Sequence, residues 1–216
     1  MPRPARLLHT ALLLALLAPA GCGWLGAAIY FFRPPVTTKA EFRFKGKVAI
    51  VIEAVRSHEE SPLFSQALYD AFCENLTAAK AAIDAVPLEK FQRLRQDNPD
   101  FASWGIQRIG HALGADQVLY IRLARLQFQE FPGAPLIEPR VAASVIVVGV
   151  SAPADKPRLW PEAIEGRELS LSRQTRDAAD PRALDEEATK MGREFAHIIA
   201  RFFHDYDSEE PLKKER

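Results

Sequence analysis

At 216 residues the chain has room for one domain with a proper core, or at most two very small ones, and a single domain fits better. Lys plus Arg and Asp plus Glu stand at 28 each, with no basic run or aromatic-basic patch, so nucleic acid is not an expected partner. An apolar content of 48% with three Trp and thirteen Phe is that of a folded protein, without internal repeat or long low-complexity tract.

Arg3 and Arg6 precede an almost wholly apolar run, Leu7 to Leu17, which ends in Ala18-Pro19-Ala20-Gly21-Cys22. That order is the n-region, h-region and small-residue cleavage site of a secretory signal. The Ala-Gly-Cys ending resembles the lipobox of bacterial lipoproteins, which implies lipidation (palmitate) at Cys22 as the mature amino terminus. Pro19 departs from that motif, which usually has Leu there. Gly23 to Phe32 extends the apolar stretch to 26 residues from Leu7, enough to cross a bilayer as an uncleaved helix. Lipidation, an uncleaved anchor and plain secretion stay open, and all three export the domain, because the arginines hold their end of the apolar run inside. The expected location is the cell envelope, membrane-anchored on the extracytoplasmic, periplasmic side, by lipid or single helix. Residues 1–22 are thus a signal peptide with a lipobox-like end, and 23–40 an apolar segment and short tether, whose part Arg33 to Lys39 reaches only about 20 to 25 Å.

Residues 41–205 read as one α/β domain. Lys47 to Ala54 is a β-branched apolar run of strand length, suited to a central strand covered on both faces. Ser61-Pro62 offers an N-cap with Pro at the first helical position, and Phe64, Leu68, Ala71, Phe72 and Leu76 follow at helical spacing. Ala82 to Val86 is a weaker strand, Pro87 opens a short helix with Leu88, Phe91 and Leu94, and another helix runs from about Ser103 to a stop at Gly114. Gln117 to Glu130 is a strand whose second half alternates, turned by Pro132-Gly133-Ala134-Pro135 and returned by Pro139 to Val150. Leu159-Trp160, or Arg167 to Leu171, extends the meander. Asp180-Pro181 caps a long helix with Leu184, Ala188, Met191, Phe195, Ile198, Ile199 and Phe202 on one stripe. Residues 206–216 are a polar tail. The fold class is α/β (α+β): a mixed or antiparallel four- to five-stranded sheet with amphipathic helices packed on one face, those of residues 62–79 and 181–204 together.

Catalytic chemistry is not in view. The glycines make no phosphate-cradling loop. His9, His58, His111, His197 and His204 form no ligand pair four apart on one helix, so no metal site and no cofactor are expected. Glu59 and Glu60 read as favourable charge ahead of a helix, as do Asp185-Glu186-Glu187 in the first turns of the last one. Cys73 reads as a small semi-buried apolar residue, and with Cys22 acylated no disulfide is expected. No nucleophile, base and oxyanion site assemble, so the chain does not read as an enzyme, and no small-molecule substrate is identified.

Lys47-Val-Ala-Ile-Val-Ile, then Ala112-Leu-Gly-Ala-Asp-Gln-Val-Leu119, then the closing amphipathic helix resemble the amino-terminal-TolB-like, or anticodon-binding-like, domain of bacterial envelope lipoproteins. That group includes the penicillin-binding-protein activator and curli secretion channel lipoproteins. The resemblance covers residues 45 to 204 by order of elements, and no functional residue of the family carries over. Two features depart from it: the tether is short, and one candidate hairpin stands where the curli channel has two long ones. The resemblance implies a membrane-tethered, non-catalytic accessory domain that binds an envelope protein or a cell-wall component. The alternative is a subunit of an envelope transport or secretion assembly. The partner surface is expected on the exposed sheet face or edge, around Arg125, Gln127, Gln129 and Arg140.

Overall fold

A computed structural model describes residues 37–55, 61–177 and 182–207, and those from Thr37 to Tyr206 belong to one compact unit. The leader with Cys22, the loop holding His58, Glu59 and Glu60, the Asp180-Pro181 cap and the tail beyond 207 lie outside the described residues. Strand β1 spans Lys47–Ala54 with its middle five residues buried. Helix α1, Pro62–Ala78, starts as its sequence dictates: Ser61 is extended at φ −130°, its Oγ accepts from Phe64 N–H at 3.3 Å, and Pro62 needs no donor at the first turn. Strand β2 is only Asp84–Ala85, because Pro87 ends it and helix α2, Leu88–Asp97, begins at once.

A 3-10 turn at Phe101–Ser103 and Gly105 precede helix α3, Ile106–Leu113, so the helix begins later than the apolar pattern suggests. Gly114 closes it at φ +69°, and Asp116 then accepts from Lys47 N–H at 2.7 Å, which ties the start of β1 to the start of β3. The Leu-Gly-Ala-Asp motif thus has two jobs, a helix stop and a strand clamp.

Strand β3 spans Gln117–Gln127, β4 Leu136–Ile137, β5 Arg140–Gly149, β6 Arg158–Trp160, β7 Arg167–Ser172 and β8 Arg176–Asp177; helix α4 spans Ala183–Ala200. The main sheet is mixed and six-stranded, in the order β2-β1-β3-β5, with β6 and β7 both on the far side of β5. Strands β1, β2 and β3 run parallel, and β5 runs antiparallel to β3, β6 and β7. The fold class is the expected one, with one strand more than expected, since Leu159-Trp160 and Arg167 to Leu171 are both strands.

On one face α1 and α4 bury Phe64, Leu68, Phe72, Met191, Phe195 and Ile199 against Ile50, Ile121, Val145 and their neighbours. The helices cross closely at Gly192, where a Cβ would stand 2.6 Å from the Phe64 carbonyl oxygen. On the other face the short helices α2 and α3 add a second, smaller core, with Phe91, Phe101, Ile109 and Leu113 over Ala49, Val51 and Val118. Gly110 permits that approach, since a Cβ there would meet Val150 Cγ2 at 2.4 Å. The helical stripes at 88–94 and 106–113 were legible, but period alone does not say which side of a sheet a connection takes.

Residues 39–44 lie across the end of α4. Phe202 O accepts from Glu41 N–H at 2.8 Å and Phe42 N–H at 3.1 Å. Asp205 accepts from Ala40 N–H at 2.9 Å, Lys39 Nζ at 3.0 Å and Arg43 Nη2 at 2.7 Å. The Ala40 N–H foremost, then Lys39, holds the Asp205 carboxyl below its ordinary range. Phe44 and Phe203 stack at 4.6 Å, and Trp160 meets Phe203 edge-on at 5.2 Å.

Candidate interaction surface

The second face of the sheet is covered only at one end. Register fixes what lies beyond: Glu53 pairs with Arg122, Arg122 with Ser144, and Ser144 with Glu168, so these four form one row across β1, β3, β5 and β7. The next row holds Val55, Ala142 and Ser170, and a bulge at Ala124 and Arg125 widens it. Arg122, Ala124, Arg125, Glu168 and Ser170 are exposed, and Val55 shows 52% of its surface. Of these, Val55, Arg122, Ala124, Glu168 and Ser170 line an open trough of 790 Å³ together with Ala142 and Ser144, with a floor of small side chains and charges along its length.

Tyr120 O–H donates to Glu53 Oε2 at 2.7 Å. Burial first, then the bond to Glu53, pushes the Tyr120 hydroxyl pKa upward, so it stays a donor and fixes that carboxylate at the head of the row. The charges along the row then run negative, positive, neutral, negative, so both signs lie along the trough.

Of the residues expected on this surface, Arg125 is exposed and Arg140 is exposed but paired with Glu138 at 2.9 Å. Gln127 and Gln129 serve the hairpin instead: Gln127 Nε2 donates to the Gln129 carbonyl at 3.0 Å, and Gln129 Nε2 to the Ala134 carbonyl at 2.7 Å. Their polarity closes the loop that period-two reading assigned to a wet face. Arg122, Ser144 and Glu168 were missed, although alternation from Val118 through Tyr120 points at Arg122.

Glu187 also differs from its expected role. Asp185 and Glu186 are exposed in the first turn of α4, but Glu187 is buried and ion-paired with Arg173 and with Arg176, the latter at 3.0 Å, while Arg173 also holds Glu194. These pairs pin the segment after β7 onto α4. Among the described residues no group of three His, Cys, Asp or Glu is placed to hold a metal ion. His197 Nδ1 lies 3.4 Å from Asn75 Oδ1 and His204 Nδ1 2.9 Å from the Asp205 carbonyl. Burial pushes the Cys73 thiol up to about 11, so it is protonated at neutral pH and behaves as a small, half-buried apolar residue.

The geometry defines an α/β domain with a half-covered mixed sheet. Among solved structures it is similar to the lipoprotein GNA1162 from Neisseria meningitidis, at 16% identity over 60% of this chain and 81% of that one, with a TM-score of 0.37. It is also similar to the PelC dodecamer from Paraburkholderia phytofirmans, at 17% identity over 79% and 97%, with a TM-score of 0.36. A third, the hypothetical protein CT253 from Chlamydia trachomatis, is 13% identical over 60% and 73%, with a TM-score of 0.33. No family model and no curated protein matches the chain. Likeness at this level assigns no family.

Proposed function

We propose that the chain is a membrane-tethered, exported accessory domain of the bacterial cell envelope, non-catalytic, which binds an envelope protein or a wall component through the uncovered part of its sheet. The observation that carries this reading is the row Glu53, Arg122, Ser144 and Glu168 beside the small-residue floor, a surface left open in a domain that covers the rest of its sheet with four helices. The signal-like leader ending at Cys22 supports the location, and the order of elements supports the amino-terminal-TolB-like resemblance. A tether of a few residues keeps the domain within reach of partners in the same membrane and raises their effective concentration.

The experiment is site-specific photo-crosslinking in the native envelope. Probes at Arg122, Ser144 and Ser170 should capture one defined protein or wall fragment, while probes on the outer surface of α4, such as Lys190, should not. Capture at the helix positions with none from the sheet positions overturns the proposed surface, and equal failure at all positions overturns the accessory role.

A further inference from the structure

The two ends of the main sheet are guarded unequally. At one end β2 is two residues long and Pro87 stops it, a short and blunted edge. At the other, β7 presents six residues, Arg167 to Ser172, without proline, lysine or bulge, in unbroken register with β5. That register decides where the backbone of β7 points. Arg173 N–H donates to the Pro139 carbonyl at 3.1 Å, so Pro139 and Arg173 are a pair of the hydrogen-bonded kind, and such pairs recur every second residue along an antiparallel ladder. Leu171, Leu169 and Arg167 therefore direct their N–H and C=O groups to β5, and those of Glu168, Ser170 and Ser172 point out of the sheet. Among the described residues no strand pairs with that outer side, and no backbone hydrogen bond reaches these three residues from it.

The side chains alternate with the backbone groups. Glu168, Ser170 and Ser172 are exposed on the face of the trough, while Leu169 and Leu171 turn to the helix face and are only half-buried. Ile198 and Phe202 of α4 and its end lie along the same strand and are half-buried too. Arg173 on Glu194 at one end and Arg167 over the Phe202 ring at 4.7 Å at the other fix that alignment, with Ile198 one helical turn from each. The open backbone edge is thus bordered by an apolar seam that the domain leaves half covered.

We propose that β7 pairs antiparallel with β7 of a second copy about a two-fold axis through Ser170, joining two six-stranded sheets into one. The sequence of the edge selects this occupant, because it is self-complementary about Ser170. Ser170 faces Ser170, Glu168 faces Ser172, and Leu169 faces Leu171, so between Glu168 and Ser172 no like charges meet and the half-buried leucines of both copies close over each other. The outward groups of Glu168, Ser170 and Ser172 then form the hydrogen-bonded pairs, each exchanging two backbone bonds. An axis through Leu169 or Leu171 instead sets a leucine opposite Arg167 or Arg173. With the axis at Ser170, Arg167 comes opposite Arg173 at the limits of the strand, but each is held by carboxylates of its own chain, Glu41 for the first and Glu187 and Glu194 for the second. The contact is isologous, so association stops at the dimer. This inference does not rest on the accessory reading, because it uses the outward backbone of one strand and not the charges of the trough.

The test uses the full chain in detergent and sedimentation velocity over a wide concentration range, in which the wild-type chain should pass from monomer to dimer and no further. Ser170→Pro removes an outward donor and no bond to β5, so it should weaken dimerisation about tenfold or more with an unchanged thermal melt. Should that variant melt early, a pair of charge variants decides. Ser170→Lys and Ser170→Glu each set like charges against each other across the axis and should stay monomeric where the wild-type chain dimerises. An equal mixture of the two should form the mixed dimer. A wild-type chain that stays monomeric or grows past the dimer overturns the proposal. So does a folded Ser170→Pro chain that dimerises as well as wild type, a charge variant that dimerises alone as well as in the mixture, or a mixture that stays monomeric. Envelope crosslinking from Arg122 and Ser144, neither of which lies on this edge, is independent of these variants, so the two readings fail separately.

Discussion

Replacing Gly192 by Ala tests how closely α1 and α4 are pressed together. At an exposed helical site this change stabilises by about 1 kcal/mol, because alanine loses less backbone freedom than glycine. Here the new Cβ would stand 2.6 Å from the Phe64 carbonyl oxygen and 3.1 Å from the Leu68 nitrogen, both backbone atoms that no rotamer change can move, and 3.0 Å from Ala67 Cβ. The helices must therefore separate, which loosens the contacts of Phe64 and Phe195 beside the crossing, 6.3 Å apart ring to ring. Overpacking costs about 1 to 3 kcal/mol, and with two of the three contacts to backbone the upper part, about 2 to 3 kcal/mol, applies here and outweighs the propensity gain, for a net loss of about 1 to 2 kcal/mol. Equilibrium urea unfolding measures it, with a lower midpoint at unchanged slope, or a melting point lower by roughly 2 to 8 °C for a domain of this size. A Gly192→Ala chain as stable as wild type, or more stable, would refute the close crossing.

Three further outcomes follow from the packing and the charges. Phe195→Ala empties a fully buried site and should cost about 3 to 5 kcal/mol in the same unfolding assay; a cost below about 1 kcal/mol would place that side chain outside the core. Glu187→Gln leaves Arg173 and Arg176 without their shared carboxylate and should cost about 1 to 3 kcal/mol, less than for a wholly buried pair because both arginines reach solvent. Asp205 has its pKa lowered in the fold, so its contribution is present above the ordinary carboxylate value of about 3.9 and is lost as pH falls through the lower folded value. The Ala40 amide resonance should therefore hold its position from neutral pH down to about 4 and shift below that. Asp205→Asn should abolish the step.

What could be read from the residues was whatever local chemistry decides. Ser61-Pro62 announced α1, Gly114 announced the end of α3, and the alternation after Tyr120 announced a strand with a wet side. Pairings across the chain were harder. The strand at Ala82 to Val86 shrank to two residues because Pro87 cannot extend a ladder, and the bulge at Ala124 has no sequence mark apart from a break in alternation. Glu187 looked like an ordinary helix-end charge, since the two arginines that bury it sit on a strap whose path only the tertiary fold decides. The open row Glu53, Arg122, Ser144 and Glu168 is a product of register among four strands, so no single segment displays it.

The clasp between residues 39–43 and the end of α4 has a mechanical meaning. A pull on the chain ahead of Thr37 first meets the two-residue strand Thr37–Thr38, paired with the strand that begins at Tyr206, and then passes at Lys39 and Glu41 to Phe202 and Asp205 through hydrogen bonds and ion pairs. From there it reaches Phe203 and Trp160, whose rings are wedged against each other inside the core. Beyond that short ladder, load is shared at once among two backbone bonds, a three-fold held carboxylate and helix α4. Residues 39–43 are held as a button is held by several threads, and tension yields there before it opens the sheet.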